Sequence, residues 1–328
     1  MTASSNHSPA MTSGPGNGQR GPDTLTRYLC EGLELRAYTA TTLATARRIA
    51  SLHGTTPNAT VAMGRTITAT ALLSATLKPL SDQSLLLRIE GSGPIREIHV
   101  QVDARGNIRA YAGNPRPDDT GEMDSISFSK SIGAGLLTIR RETGTGEPYS
   151  SVIHLEAGDI AADVARYLTL SEQVPSALIL GLTLGNDGDI ASSGGILIQT
   201  LPDTPETSIT AVENAIASME RPLGECLRDG EPIESFLAAI FGGEALTFLG
   251  SQPLKASCRC SRKLILGILA RVNNDELKEM RERDDGAEVT CAFCANRYRF
   301  SGEELEKLII RKEHTGRDGG KSIRPEIH

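Results

Sequence analysis

Over residues 23–202 the apolar positions follow two different periods. Helical spacing occurs over 41–53, 58–77 and 159–170, and Asn58, which follows a proline, is placed to cap the second of these helices. Short apolar runs bounded by glycine, proline and acidic residues are typical of strands, and they cover 84–90, 95–102, 108–111, 136–140, 151–155, 178–184 and 195–201. The pattern therefore predicts an α+β domain in which helices pack against an antiparallel β-sheet.

After residue 202 the extended pattern gives way to short amphipathic segments. Residues 209–219 and 233–240 carry apolar side chains at helical spacing, and Pro222 and the turn 229–232 interrupt the pattern between them. Helices this short are rarely stable alone, so their apolar faces need a surface to pack on. From the residues alone, the segment 203–256 is interpreted as an ordinary helical subdomain.

A third pattern, over residues 257–312, is that of a small α+β module. Helical spacing over 262–270 and 275–283 is followed by a short strand over 286–290 that leads into Cys291. A chain of 328 residues exceeds what one hydrophobic core usually organises, in keeping with two or three domains.

Composition narrows the functional classes. The formal net charge of −7 argues against a general nucleic-acid-binding surface, which would be basic. Residues 1–22 and 313–328 are predicted to be disordered tails, and the first lacks the apolar stretch of a secretory signal. The apolar-leaning run 59–77 contains Arg65 and several threonines, which is typical of a buried helix rather than a membrane span. We therefore expect a cytoplasmic protein that does not contact a membrane.

Four of the six cysteines are clustered in the third region: Cys258, Cys260, Cys291 and Cys294. Cytosolic thiols are kept reduced, so such a cluster is more often metal-binding or redox-active than a structural crosslink. A Cys-x-Cys pair and a Cys-x2-Cys pair separated by a helical insert match a closed tetrahedral site for one Zn²⁺ per chain. The formal charge of about −2 is expected to be offset by basic neighbours. These are Arg259, Arg262, Lys263, Arg297 and Arg299. The isolated Cys30 and Cys226 are interpreted as small apolar fillers.

The spacing alone leaves the purpose of the zinc open. It is compatible with a structural zinc in an enzyme or in a nucleic-acid-binding or translation-associated factor, and the segment 297–300 (RYRF) could contact nucleic acid through charge and stacking. Cys-x-Cys spacing is unusual among zinc knuckles, however, and its disulfide would close a short, strained loop of the labile, regulatory kind. Zinc contributes about 10–16 kcal/mol in finger peptides, against about 5–15 kcal/mol for the stability of a typical domain. Loss of the metal is therefore expected to unfold a module of this size.

Several motifs occur along the chain in the order found in a known family. They are 102–107 (VDARGN), 146–149 (GEPY), 167–176 (YLTLSEQVPS), 194–199 (GGILIQ) and 291–300 (CAFCANRYRF). With the cysteine spacing, they resemble the bacterial thirty-three-kilodalton redox-regulated heat-shock chaperonin family. The resemblance runs from about Leu25 to about Ile310, and the two tails have no recognised counterpart.

The resemblance implies an ATP-independent holdase chaperone rather than an enzyme. In the reduced state the four cysteines would bind zinc, and residues 203–256 would act as a helical regulatory linker packed over an apolar surface of the client-binding and dimerisation domain, 23–202. Oxidants such as peroxide with heat, or hypochlorous acid, would form the disulfides Cys258–Cys260 and Cys291–Cys294, release zinc, and unfold the zinc module and linker. The protein would then dimerise, hold thermally unfolding or oxidatively damaged clients, and pass them to ATP-driven foldase chaperones.

Overall fold

The computed structural model describes residues 21–117, 128–144 and 147–314, and these form two compact units that divide after Ser257. The predicted disordered tails lie outside the described residues, apart from 21–22 and 313–314, and the latter two belong to a helix. Gly146 of the motif 146–149 also lies outside them. Within the described ranges, none of the helices combines the length and the apolar character needed to cross a bilayer.

The strands of the first unit form two sheets. They are β1 (Thr24–Cys30), β2 (Leu35–Thr41), β3 (Ser84–Gly91), β4 (Glu97–Asp103), β5 (Asn107–Ala112), β6 (Gly135–Glu142), β7 (Tyr149–His154), β8 (Ser176–Leu184), β9 (Ile190–Thr200), β10 (Thr247–Pro253) and β11 (Lys255–Ala256). The first sheet has the order β10-β1-β2-β9-β8 and is antiparallel throughout. The second has the order β11-β5-β4-β3-β6-β7, in which the short β11–β5 pair is parallel. The predicted antiparallel α+β domain is confirmed.

One helix occupies the space between the two sheets. The helices of the first unit are α1 (Leu43–His53), α2 (Pro57–Leu73), α3 (Phe128–Ile132), α4 (Ile160–Ser171), α5 (Glu206–Ala217), α6 (Leu223–Arg228) and α7 (Ile233–Ile240). Helix α2 is buried along most of its length in a core to which both sheets contribute. The hydroxyls of Thr66 and Thr70 donate to the carbonyls of Ala62 and Thr66 (2.7 Å each), so these polar groups are satisfied inside the core. The prediction of a buried helix in this stretch is confirmed.

Helices α5, α6 and α7, which we call the covering helices, pack on the first sheet. On β9, Ile196 and Ile198 point towards them, whereas Leu197 joins the core around α2 on the opposite face. The covering helices contribute Val212, Leu223, Leu227, Ile233, Leu237 and Ile240 to this second core. The apolar faces of these short helices therefore lie on a sheet, as their amphipathic pattern requires.

The sequence pattern predicts a helical segment over residues 203–256, but only part of this segment is helical. Gly242 and Gly243, both with positive φ, follow the last covering helix, and the chain then forms β10 and β11. Most β10 side chains are exposed, so the strand has no apolar alternation to detect. The sequence pattern also missed strands β1 and β2. Strand β2 is buried on both faces, so its alanines and threonines do not alternate between apolar and polar positions.

The second unit is a small α+β module. It contains α8 (Arg262–Leu269), α9 (Asn274–Asp284), β12 (Gly286–Thr290), β13 (Arg297–Ser301) and α10 (Gly302–His314). The side chains of Ser261 and Asn273 cap α8 and α9 by accepting from the amides of Leu264 (3.2 Å) and Glu276 (2.7 Å). Seven buried apolar residues form the core of its described part: Ile265, Leu269, Val272, Leu277, Phe300, Leu305 and Ile309.

Candidate metal centre

The four clustered cysteines converge at one end of the second unit. Cys258 and Cys260 precede α8, and Cys291 and Cys294 lie in the turn between β12 and β13. All four Sγ atoms lie within 4.8 Å of one another, with 3.7 Å between Cys258 and Cys291 and 3.1 Å between Cys260 and Cys294. A tetrahedron with metal–sulfur bonds of about 2.3 Å has sulfurs about 3.8 Å apart, so the donor set fits one Zn²⁺.

Backbone amides organise both cysteine pairs. The amide of Cys260 hydrogen-bonds the sulfur of Cys258, and the amide of Asn296 hydrogen-bonds that of Cys294. The second turn is closed by the amide of Ala295 donating to the carbonyl of Cys291 (2.9 Å), with Ala295 in the left-handed region at φ 56°. Hydrogen bonds from backbone amides to sulfur stabilise the thiolate form of cysteine. The main chain is therefore arranged to favour thiolates at Cys258 and Cys294.

The thiols have unequal electrostatic environments. Burial raises the pKa of Cys258 and of Cys294. For Cys260, burial acts in the same direction, but hydrogen bonds from Tyr298 and the other cysteines outweigh it and lower the pKa. Cys260 is therefore the most acidic of these three thiols and the one that most readily supplies a thiolate.

Tyr298 makes a contact with the cluster that the sequence did not reveal. Its hydroxyl donates to the sulfur of Cys260 (3.1 Å), and this bond raises the pKa of Tyr298 to about 12. Tyr298 stands opposite Val289 in the β12–β13 register, which positions the ring beside the cysteines. Hydrogen bonds of this kind orient metal ligands and adjust their basicity.

Three of the five predicted cationic neighbours form ion pairs with carboxylates. Arg297 and Arg299 both pair with Glu288, at 3.6 Å and 2.6 Å. Nη2 of Arg262 donates to both carboxylate oxygens of Glu304 (2.6 and 2.8 Å), and the guanidinium lies over the Phe300 ring, 4.4 Å from its centroid. These three arginines therefore act in ion pairs of the module, and hydrogen bonds from Tyr298 and the backbone act directly on the sulfurs.

The side-chain contacts of the segment 297–300 also show whether it could bind nucleic acid. The aromatic residues of the segment 297–300 would have to stack on bases. Phe300 is instead 2% exposed in the module core, and the Tyr298 hydroxyl is bonded to Cys260. These two contacts therefore do not favour base stacking by the segment 297–300.

The two remaining cysteines belong to the first unit. Cys30, at the end of β1, and Cys226, in α6, are both buried. Burial raises the pKa of both thiols, which keeps them neutral. This agrees with their interpretation as apolar fillers.

Comparison with known proteins identifies the family. The family model described as Hsp33 protein matches residues 23–301. A 33 kDa chaperonin of Syntrophotalea carbinolica is 38% identical over 88% of this chain and 99% of its own length. The chain belongs to the Hsp33 family. A 33 kDa chaperonin of Aquifex aeolicus is 37% identical over 85% of this chain and 86% of its own.

A solved structure supports the same assignment. The crystal structure of the 33 kDa chaperonin of Thermotoga maritima, a heat shock protein 33 homologue, superposes with a TM-score of 0.79 at 28% identity and covers 90% of this chain and 100% of its own. The family resemblance, the α+β fold and a chaperone rather than an enzyme are thus confirmed for this Hsp33 family member.

Proposed function

We propose that this Hsp33 family member is a cytoplasmic, redox-regulated, ATP-independent holdase. The observation that carries the proposal is the convergence of four thiols on one point of a module with only a small core in its described part. Cys258, Cys260, Cys291 and Cys294 are its zinc ligands in the reduced state. Bound zinc would crosslink the two cysteine pairs and supply much of the free energy that keeps the module folded.

Oxidation removes the ligands. A thiolate of each pair attacks one peroxide oxygen, the O–O bond breaks with its electron pair, and the other oxygen leaves as hydroxide, which is protonated to water, while the sulfur becomes a sulfenic acid. The second sulfur of the pair displaces hydroxide from it, and protonation of the hydroxide yields water and a disulfide. The proposed products are Cys258–Cys260 and Cys291–Cys294, one peroxide being consumed for each. Disulfide sulfurs are poor zinc ligands, so the module loses its crosslink.

The linker 203–256 is the part of the first unit that transmits this change to the domain 23–202. It enters the cysteine module directly at residue 257, and its covering helices bury the apolar face formed by Tyr28, Leu35, Ala37, Ile196 and Ile198. Release of these helices uncovers that face for unfolding clients and for a second oxidised copy of the chain. Clients held there would be passed to ATP-driven foldases.

Peroxide treatment at mild heat tests the proposal. Zinc release, thiol count and light scattering of a thermally unfolding client are followed together, with the reductant-treated protein as control. We expect loss of four thiols and one zinc, followed by suppression of scattering. Zinc loss without any suppression would refute the chaperone switch, and salt-sensitive RNA binding by the reduced form would support the competing function instead.

A further inference from the structure

Strand β10 covers an edge rather than a face of the first sheet. It pairs antiparallel with β1, from Thr24 opposite Pro253 to Leu29 opposite Thr247. Among the described strands it is the terminal one on this side of the sheet. It belongs to the segment 203–256, so departure of that whole segment would leave the hydrogen-bonding groups of the β1 edge without partners.

The main chain carries most of the pairing between β10 and β1. No β10 residue is buried, and Leu249 is 57% exposed. Side-chain contacts do occur: Arg27 donates to Gln252 (2.9 Å), and the Tyr28 and Phe248 rings meet edge-on at 6.2 Å. Because the remaining side chains point largely to solvent, the pairing of β10 with β1 places little demand on the sequence of β10.

The two strands differ in how well they would template a further strand. β10 contains Pro253, Gly250 at φ 142° and a register break at which Leu249 has no partner, all of which discourage pairing on its outer side. β1 (TLTRYLC) has no glycine or proline and is rich in residues that favour strands. The sheet therefore ends in a poor template that lies over a good one.

We propose that the β1 edge is a binding site for an extended client segment, which adds to the first sheet in place of β10. β10 itself shows the ligand class: about seven residues of extended polypeptide, antiparallel to β1 and recognised through the backbone. Such recognition suits clients of unrelated sequence. The inference rests on the proposed function, since the edge becomes available only when the segment 203–256 is released.

A crosslink between the two strands tests the proposal in the full chain. Thr26 and Ser251 are opposite one another in the register, so the double variant Thr26→Cys/Ser251→Cys can form a disulfide during the same peroxide treatment. Peptide mapping by mass spectrometry verifies the bond, and Thr26→Cys alone is the matched control. We expect the crosslinked protein to release zinc normally but to lose most of its suppression of client scattering.

The outcomes separate the two proposals. If the oxidised wild-type protein and the control do not suppress scattering, the proposed function itself fails. If they do and the crosslinked variant suppresses equally well, the β1 edge is not a client site, although the holdase stands.

A labelled peptide of residues 247–253 tests the role of the backbone independently. Fluorescence anisotropy should show binding to the oxidised protein but not to the reduced one. The register divides the backbone amides of β10 into two sets, 248 with 251 and 250 with 252. One set points towards β1 and the other points away from it. N-methylation of one set should weaken binding about tenfold, as expected for two lost hydrogen bonds, while methylation of the other set leaves it nearly unchanged. Equal effects, or no binding to the oxidised form, would overturn the proposal.

Discussion

Leu237→Ala should release the covering helices without oxidation. Leu237 is fully buried on α7, in the core shared with the first sheet. The substitution removes three carbons from this core, about 2.4 kcal/mol at about 0.8 kcal/mol each, and the remaining cavity raises the cost to about 3 kcal/mol. That free energy shifts the equilibrium between packed and released helices about 150-fold towards release.

Two measurements on the zinc-loaded, reduced protein test this shift. Amide hydrogen exchange over 206–240 should accelerate by the same factor, and client scattering should be partly suppressed without peroxide. Leu249→Ala is the matched control, because this side chain is 57% exposed and its truncation should change neither quantity. Unchanged exchange over the covering helices in Leu237→Ala would show that their packing does not depend on this core.

Three further changes probe the metal centre and the packing of α7. Tyr298→Phe removes the hydrogen bond to Cys260 and should weaken zinc binding about tenfold while circular dichroism stays unchanged, as checked by competition with a colorimetric zinc indicator. Cys291→Ser leaves three thiolates, so zinc content should fall below one per chain and residues 258–312 should become protease-sensitive even in reductant; full zinc content and protease resistance would contradict this. Burial, and then the neighbouring Glu234, raise the pKa of Tyr28. The neutral Tyr28 side chain therefore contributes to the stability of the folded state below the usual tyrosine pKa of about 10. This contribution is lost as the pH rises through the higher pKa that Tyr28 has in the folded protein. With intrinsic base-catalysed exchange corrected for, the protection of amides over 233–240 should fall at alkaline pH in the wild-type protein and fall less in Tyr28→Phe.

Local patterns predicted the elements whose residues alternate or repeat clearly. Residues 84–90 lie within β3, and the predicted helix over 159–170 corresponds to α4. Strand β2 is buried on both faces, whereas most side chains of β10 are exposed. Neither strand therefore alternates between apolar and polar residues, and the sequence pattern missed both.

At the candidate metal site, too, some features could be predicted from local sequence and others depend on tertiary structure. Metal-ligand spacing is a local property, and it identified the four cysteines that the fold brings together. The Tyr298 contact joins residues 38 apart in the chain and depends on the β12–β13 register, so no local signal could indicate it. The partners of Arg262 and Arg299 are set by the same tertiary packing, so the sequence placed these cations near the cysteines without indicating the carboxylates that pair with them.

Removal of zinc under reducing conditions shows whether metal coordination keeps the second unit folded. A chelator is added to the reduced, isotope-labelled protein, and heteronuclear NMR spectra are recorded before and after. We expect amide resonances of residues 258–312 to collapse to the narrow range of an unfolded chain, while those of β3–β6 stay dispersed. Retained dispersion over 258–312 after complete zinc removal would show that coordination does not hold this unit folded.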